Sequence, residues 1–89
     1  MGAREILEKT KVWIEAEQIK AERLGAEPFS LTSFNFCLSK ATGLSPGDDR
    51  LEEVLTILRA TAKEERMGSY SVVSPIGALF VIKRALIAH

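Results

Sequence analysis

The sequence contains very little of the chemistry that most metal or disulfide sites need. Its 89 residues include one cysteine, Cys37, and one histidine, His89. A lone cysteine cannot form a disulfide within the chain, and a structural zinc site needs about four Cys or His ligands. A nucleophilic cysteine also needs a nearby base. Cys37 stands among apolar residues, so we predict that it is a small buried hydrophobe.

An excess of charge of one sign is also absent, because 12 Lys and Arg residues balance 12 Asp and Glu residues. The zero net charge disfavours bulk attraction to nucleic acid, although a local basic patch remains compatible with it. The composition is 46% hydrophobic and 27% charged, which is typical of a folded protein rather than a disordered one. We expect residues 1–89 to form a single domain with a thin core.

Long apolar runs are missing as well. No stretch reaches about 18 uninterrupted apolar residues, so no membrane span is predicted. The residues after Arg4 lack the apolar core of a secretory signal, and together with the lone cysteine this favours an intracellular, cytoplasmic location. There is no interior histidine, glycine-rich phosphate loop or metal-ligand cluster, so we expect no enzymatic activity, no cofactor and no bound metal.

Glycines and Ser-Pro pairs divide the chain into four predicted helices. Gly25, Gly43 and Gly68 each follow a stretch with helical spacing, where a left-handed glycine commonly ends a helix. Ser45-Pro46 and Ser74-Pro75 each suit an N-cap followed by proline at the first helical position. The predicted helices are residues 3–24, 31–42 with Ser30 as N-cap, 46–67 and 74–88.

Hydrophobic periodicity is clearest in the third predicted helix, where acidic residues cluster at the start and basic residues at the end, as the helix dipole favours. Its apolar stripe consists of Leu51, Val54, Leu55, Leu58 and Ala62.

The first predicted helix is apolar on two sides, because Leu7 and Ile14 point well away from Val12 and Ile19. A helix of this kind usually packs against two neighbours, and one of them could belong to another chain.

The last segment has two interpretations. A helix could begin at Ser74-Pro75 and end near Ala88. Alternatively, residues 74–77 could form a type I turn that joins strands 70–73 and 78–82 in a hairpin. We favour the helix, because a lone hairpin is marginal without a sheet and the alanines suit a helix better. The predicted fold is an all-α domain of four helices, with three helices plus a hairpin, resembling a winged helix, as the alternative.

The near-uniform apolarity of the last segment indicates the function, because a helix that is apolar nearly all round must be buried. We expect a second chain to complete its cover, since only 89 residues are present to surround it. We therefore predict a protein-interaction or oligomerisation module, a self-associating subunit of a larger assembly. The predicted partner interface consists of Leu7, Trp13, Ile14, Leu79, Phe80, Ile82 and Leu86.

The alternative function is a small nucleic-acid-binding or regulatory domain. The stretch Leu38–Ser45 resembles the middle of a helix-turn-helix, with Gly43 at the turn. Acidic residues at the start of the next predicted helix oppose contact with phosphate there. The residues that would contact an anion are Lys40, Lys83 and Arg84.

Overall fold

The protein folds into four α-helices. The computed structural model describes residues 1–25, 33–66 and 74–89. The helices are α1 (Ala3–Leu24), α2 (Phe34–Thr42), α3 (Asp49–Glu64) and α4 (Pro75–Ala88). The all-α prediction is confirmed, and no strand occurs in the described ranges. The hairpin alternative is wrong because residues 78–82, its second strand, lie inside α4; its first strand, 70–73, lies outside the described residues.

All four helices contribute side chains to the core. Helices α1 and α3 each pack against all the other helices, whereas α2 and α4 meet only marginally. The predicted stripe of α3 is confirmed, since none of its five side chains is more than 2% exposed. Cys37 on α2 is buried, as predicted. The buried Thr10 hydroxyl on α1 donates to the carbonyl of Ile6 at 2.8 Å, so this polar group is satisfied within the core.

Helix α1 has the predicted bounds, and left-handed glycines close both α1 and α2. Gly25 has a φ of 66° and Gly43 a φ of 76°, a conformation that glycine adopts without a steric penalty. The N–H of Gly43 donates to the carbonyl of Ser39 at 2.8 Å. The third predicted stop signal, Gly68, lies outside the described residues.

Helix α2 begins at a different serine from the predicted one. The hydroxyl of Ser33 accepts the N–H of Phe36 at 3.1 Å and caps the helix. Such a side-chain acceptor satisfies one of the free N–H groups of the first turn. The predicted cap, Ser30, lies outside the described residues.

The predicted start of α4 is confirmed. The hydroxyl of Ser74 accepts the N–H of Gly77 at 3.0 Å, and Pro75 is the first helical residue. Proline is favoured there because its missing N–H would have no partner in the helix. The Ser-Pro pair therefore directs the chain into a helix rather than into the turn of a hairpin.

The predicted start of α3 at Ser45-Pro46 is wrong. The N–H of Asp48 donates to the carbonyl of Ser45 at 3.0 Å, and Gly47 has a φ of 93°. This is the pattern of a type II turn, with proline second and a positive-φ glycine third. Helix α3 begins only after this turn, and Asp48 is its N-cap.

Candidate interaction surface

Four of the seven residues predicted for a partner interface lie in the core of the chain itself. Leu7, Ile14 and Ile82 have no exposed surface, and Leu79 is only 8% exposed. Their side chains are covered by the protein's own helices, so they present no surface to a partner in this fold. The prediction that these four residues form a partner interface is therefore corrected, because in this fold they belong to the core.

The other three predicted interface residues reach the surface at different places. Trp13 is half-buried, and its ring packs against the ring of Phe36 on α2 in a T-shaped arrangement, with the ring centroids 6.3 Å apart. Leu86 is half-buried beside α1, and Phe80 is 47% exposed on α4. Phe80 is thus the most exposed of the seven.

One side of α4 is an apolar stripe with a cation within it. Ile76 and Ile87 are 74% and 79% exposed, and Lys83 is exposed between Phe80 and Ile87. These four positions follow one another at steps of four, three and four residues, which places them on one side of the helix. We call Ile76, Phe80, Lys83 and Ile87 the α4 stripe.

The sequence-based interface omitted Ile76 and Ile87, although a signal for them was present. Lys83 is one of the two charged residues of α4, whose other residues are apolar or glycine, so its side of the helix is expected to face solvent. Ile76 stands seven residues before Lys83 and Ile87 four residues after it, on that same side. Counting helical steps from the cation would have identified both.

The two cations of α4 differ in their pairing. The Nε of Arg84 donates to Oε1 of Glu65 at 2.9 Å, which connects α4 with the end of α3. Lys83 makes no ion pair within the described part of the chain. The α4 stripe therefore carries one cation whose charge is not neutralised by a contact.

Lys83 borders an open groove between α4 and α1, which is also lined by Arg4, Glu8, Lys11, Glu15, Leu86 and Ile87.

A second apolar surface lies between α1 and α2. An open groove of about 520 Å³ is lined by Glu8, Lys9, Val12, Trp13, Ala16 and Ala41. Val12 is 61% exposed and Ile19 is 52% exposed on the side of α1 that points away from the core. Charged residues of both signs border this surface, so it shows no preference for a partner of one charge.

The three basic residues predicted to contact an anion do not form one patch. The ammonium of Lys40 lies 5.7 Å from the centroid of the Phe36 ring on α2, in a cation–π contact. Lys83 and Arg84 lie on α4, which meets α2 only marginally, and Arg84 is paired with Glu65. Residues 43–48 separate α2 from α3, whereas a helix-turn-helix turn has about three or four residues.

The N-cap of α3 has a strongly shifted pKa. The carboxylate of Asp48 accepts the backbone N–H of Arg50 at 2.9 Å, and the guanidinium of Arg50 at 3.0 and 2.9 Å. The side-chain hydrogen bonds from Arg50, followed by the backbone one, lower the pKa of Asp48 from 3.8 to about 2. The acidic start of α3 is thus a charged cap that remains ionised in moderate acid.

This cap predicts a specific loss of stability in acid. The folded-state pKa of Asp48 lies below its unfolded value, so the charged form stabilises the fold above about pH 4, and this contribution disappears as the pH falls towards 2. An NMR titration of the Asp48 carboxyl is expected to show a midpoint near pH 2. The Asp48→Asn variant keeps an acceptor but has no charge, so it should lack this part of the acid dependence. A midpoint near 3.8 would contradict the assigned pairing with Arg50.

Comparison with known proteins gives no assignment. No protein-family model, curated protein or solved structure matches the chain. Within residues 1–25, 33–66 and 74–89, no cluster of His, Cys, Asp and Glu could hold a metal ion. No helix in these ranges combines the length and the apolarity that crossing a membrane requires.

Proposed function

We propose that this protein is a small helical interaction module that self-associates through the α4 stripe. The observation that carries the proposal is the exposure of Ile76, Phe80 and Ile87 on one side of a helix whose other side is core. The described part of the chain thus leaves one side of its most apolar helix exposed. Removing the remaining apolar surface from water favours association with a second surface.

The composition of the α4 stripe favours a second copy of the same chain as the partner. The stripe has an isoleucine at each end, and an aromatic ring and a cation at its centre. Because a ring and a cation attract each other, the stripe is complementary to itself when one copy is reversed. Isologous dimers use such a self-complementary patch on both subunits.

The size of this surface sets the expected strength of the interaction. Specific interfaces bury about 800 Å² on each partner, which is about 15% of the 5309 Å² surface of this chain. One side of α4 is about 21 Å long, given its 14 residues and a rise of about 1.5 Å per residue. It supplies only part of that area, so we expect a weak, transient dimer that forms between micromolar and millimolar concentrations.

A dilution series tests this proposal. Because association stabilises only the folded state, the melting temperature should rise with protein concentration. The methyl NMR signals of Ile76 and Ile87 should shift over the same range, whereas those of the buried Ile14 should not. Melting temperatures and methyl spectra that do not change between micromolar and millimolar concentrations would contradict self-association.

A further inference from the structure

The spacing within the α4 stripe specifies how two copies would pair. We propose that α4 packs antiparallel against α4 of a second copy, with the two-fold axis between Val81 and Ile82. Positions 76 and 87 are equidistant from this point, and so are positions 80 and 83. Ile76 then packs against the partner's Ile87, and Phe80 against the partner's Lys83. This inference rests on the proposed function and adds the register and orientation of the dimer.

The central contact gives the cation of each copy a place in the interface. Lys83 has no ion pair within the described part of the chain, and Phe80 is 47% exposed, so both groups are available. An ammonium over an aromatic ring is attracted by the negative face of the ring. The chain already makes this type of contact in α2, between Lys40 and Phe36. The pairing compensates for part of the cost of removing the ammonium from water.

The parallel arrangement is less favourable for the same residues. In a parallel pair each position meets its own copy, so Lys83 would face the partner's Lys83 at the centre of the contact. Like charges placed opposite each other across an interface oppose association. Arg84 adds no second repulsion in the antiparallel register, because Glu65 of its own chain neutralises it. The charge pattern therefore favours the antiparallel dimer.

Disulfide trapping with Ile76→Cys and Ile87→Cys tests the register. In the antiparallel dimer these two positions face each other, whereas the two copies of position 76 lie about 16 Å apart along the helices. Disulfides require Cα atoms within about 7 Å. Under oxidised glutathione, a mixture of the two variants should form a covalent dimer, and each variant alone should not. Cys37 is buried and present in every sample, and the unmodified chain is the control for it.

The possible outcomes separate the register from the proposed function. Oxidation accumulates the covalent dimer from transient pairs, so weak association of the variants does not prevent the measurement. A covalent dimer of Ile76→Cys alone would indicate a parallel pair and would overturn the register. The register would also be overturned if the unmodified chain is dimeric but the mixture of the two variants forms no covalent heterodimer. If the unmodified chain sediments as a monomer throughout, the proposed function fails, and the register fails with it.

Discussion

Replacing Ile76 with Glu is expected to leave the chain folded and to abolish its self-association. Ile76 is 74% exposed and is the second residue of α4. A carboxylate in the first turn interacts favourably with the helix dipole, so the monomer should gain about 0.3–1 kcal/mol in free energy of unfolding. In the dimer the same carboxylate would replace the apolar contact of Ile76 with the partner's Ile87 and would lose hydration there, and this would occur at two symmetric places.

The expected loss of association is large compared with the error of a sedimentation measurement. The loss of two apolar contacts, together with the desolvation of two carboxylates, should raise the dissociation constant by at least about 100-fold. Ile19→Glu is the matched control, because Ile19 is 52% exposed but lies on α1, outside the α4 stripe. Sedimentation velocity should show a monomer for Ile76→Glu and an unchanged dimer for Ile19→Glu. The reverse result would place the interface on α1 and contradict the proposal.

Replacing Ile82 with Ala is expected to destabilise the fold by about 2–5 kcal/mol. Ile82 has no exposed surface, so the truncation removes buried apolar contacts and leaves a cavity in the core. For a domain of this size the melting temperature should fall by about 10–20 °C or more. The measurement is thermal unfolding followed by circular dichroism, at a concentration at which the chain is monomeric.

The control for Ile82→Ala is the same substitution on the other side of the same helix. Ile76→Ala changes a residue that is 74% exposed, so the expected loss is below about 0.5 kcal/mol. The sequence-based assignment of Ile82 to a partner interface implies a small effect of Ile82→Ala on the monomer. Equal losses for the two variants would contradict the assignment of Ile82 to the core.

Sequence patterns predicted the helices best where a single physical effect determined the local structure. Gly25 caps the end of α1 and Gly43 caps the end of α2, because glycine suits the left-handed conformation that follows each helix. The stripe of α3 is buried as its 3.6-residue spacing predicts. Each of these predictions depends on nearby residues alone.

The two Ser-Pro pairs show how competing local effects limit such predictions. Pro46 is followed directly by Gly47, and a Pro-Gly pair in the middle of four residues favours a type II turn. Pro75 is followed by Ile76, a β-branched residue that disfavours the positive φ required at the third position of that turn. The first pair therefore forms a turn, and the second begins a helix. The residue after the proline accounts for the difference only as far as a type II turn is concerned, because the type I turn considered for residues 74–77 needs no positive φ.

The candidate surface was harder to predict because periodicity gives the angles between residues but not the direction of the core. The two apolar sides of α1 look equivalent in sequence, yet the fold buries Leu7 and Ile14 and exposes Val12 and Ile19. In α4 the apolar residues cover nearly the whole circumference, and Lys83 is one of only two charges that mark the exposed side. The side that remains exposed depends on where the other helices pack, which is tertiary information.

The mass of the unmodified chain as a function of concentration tests the central claim most directly, because self-association through the α4 stripe must appear as a dimer. Sedimentation equilibrium is expected to give a mass near 9.8 kDa at low concentration. The mass should approach twice this value as the concentration passes through the micromolar range towards millimolar. A mass that stays at 9.8 kDa up to millimolar concentration would contradict the account.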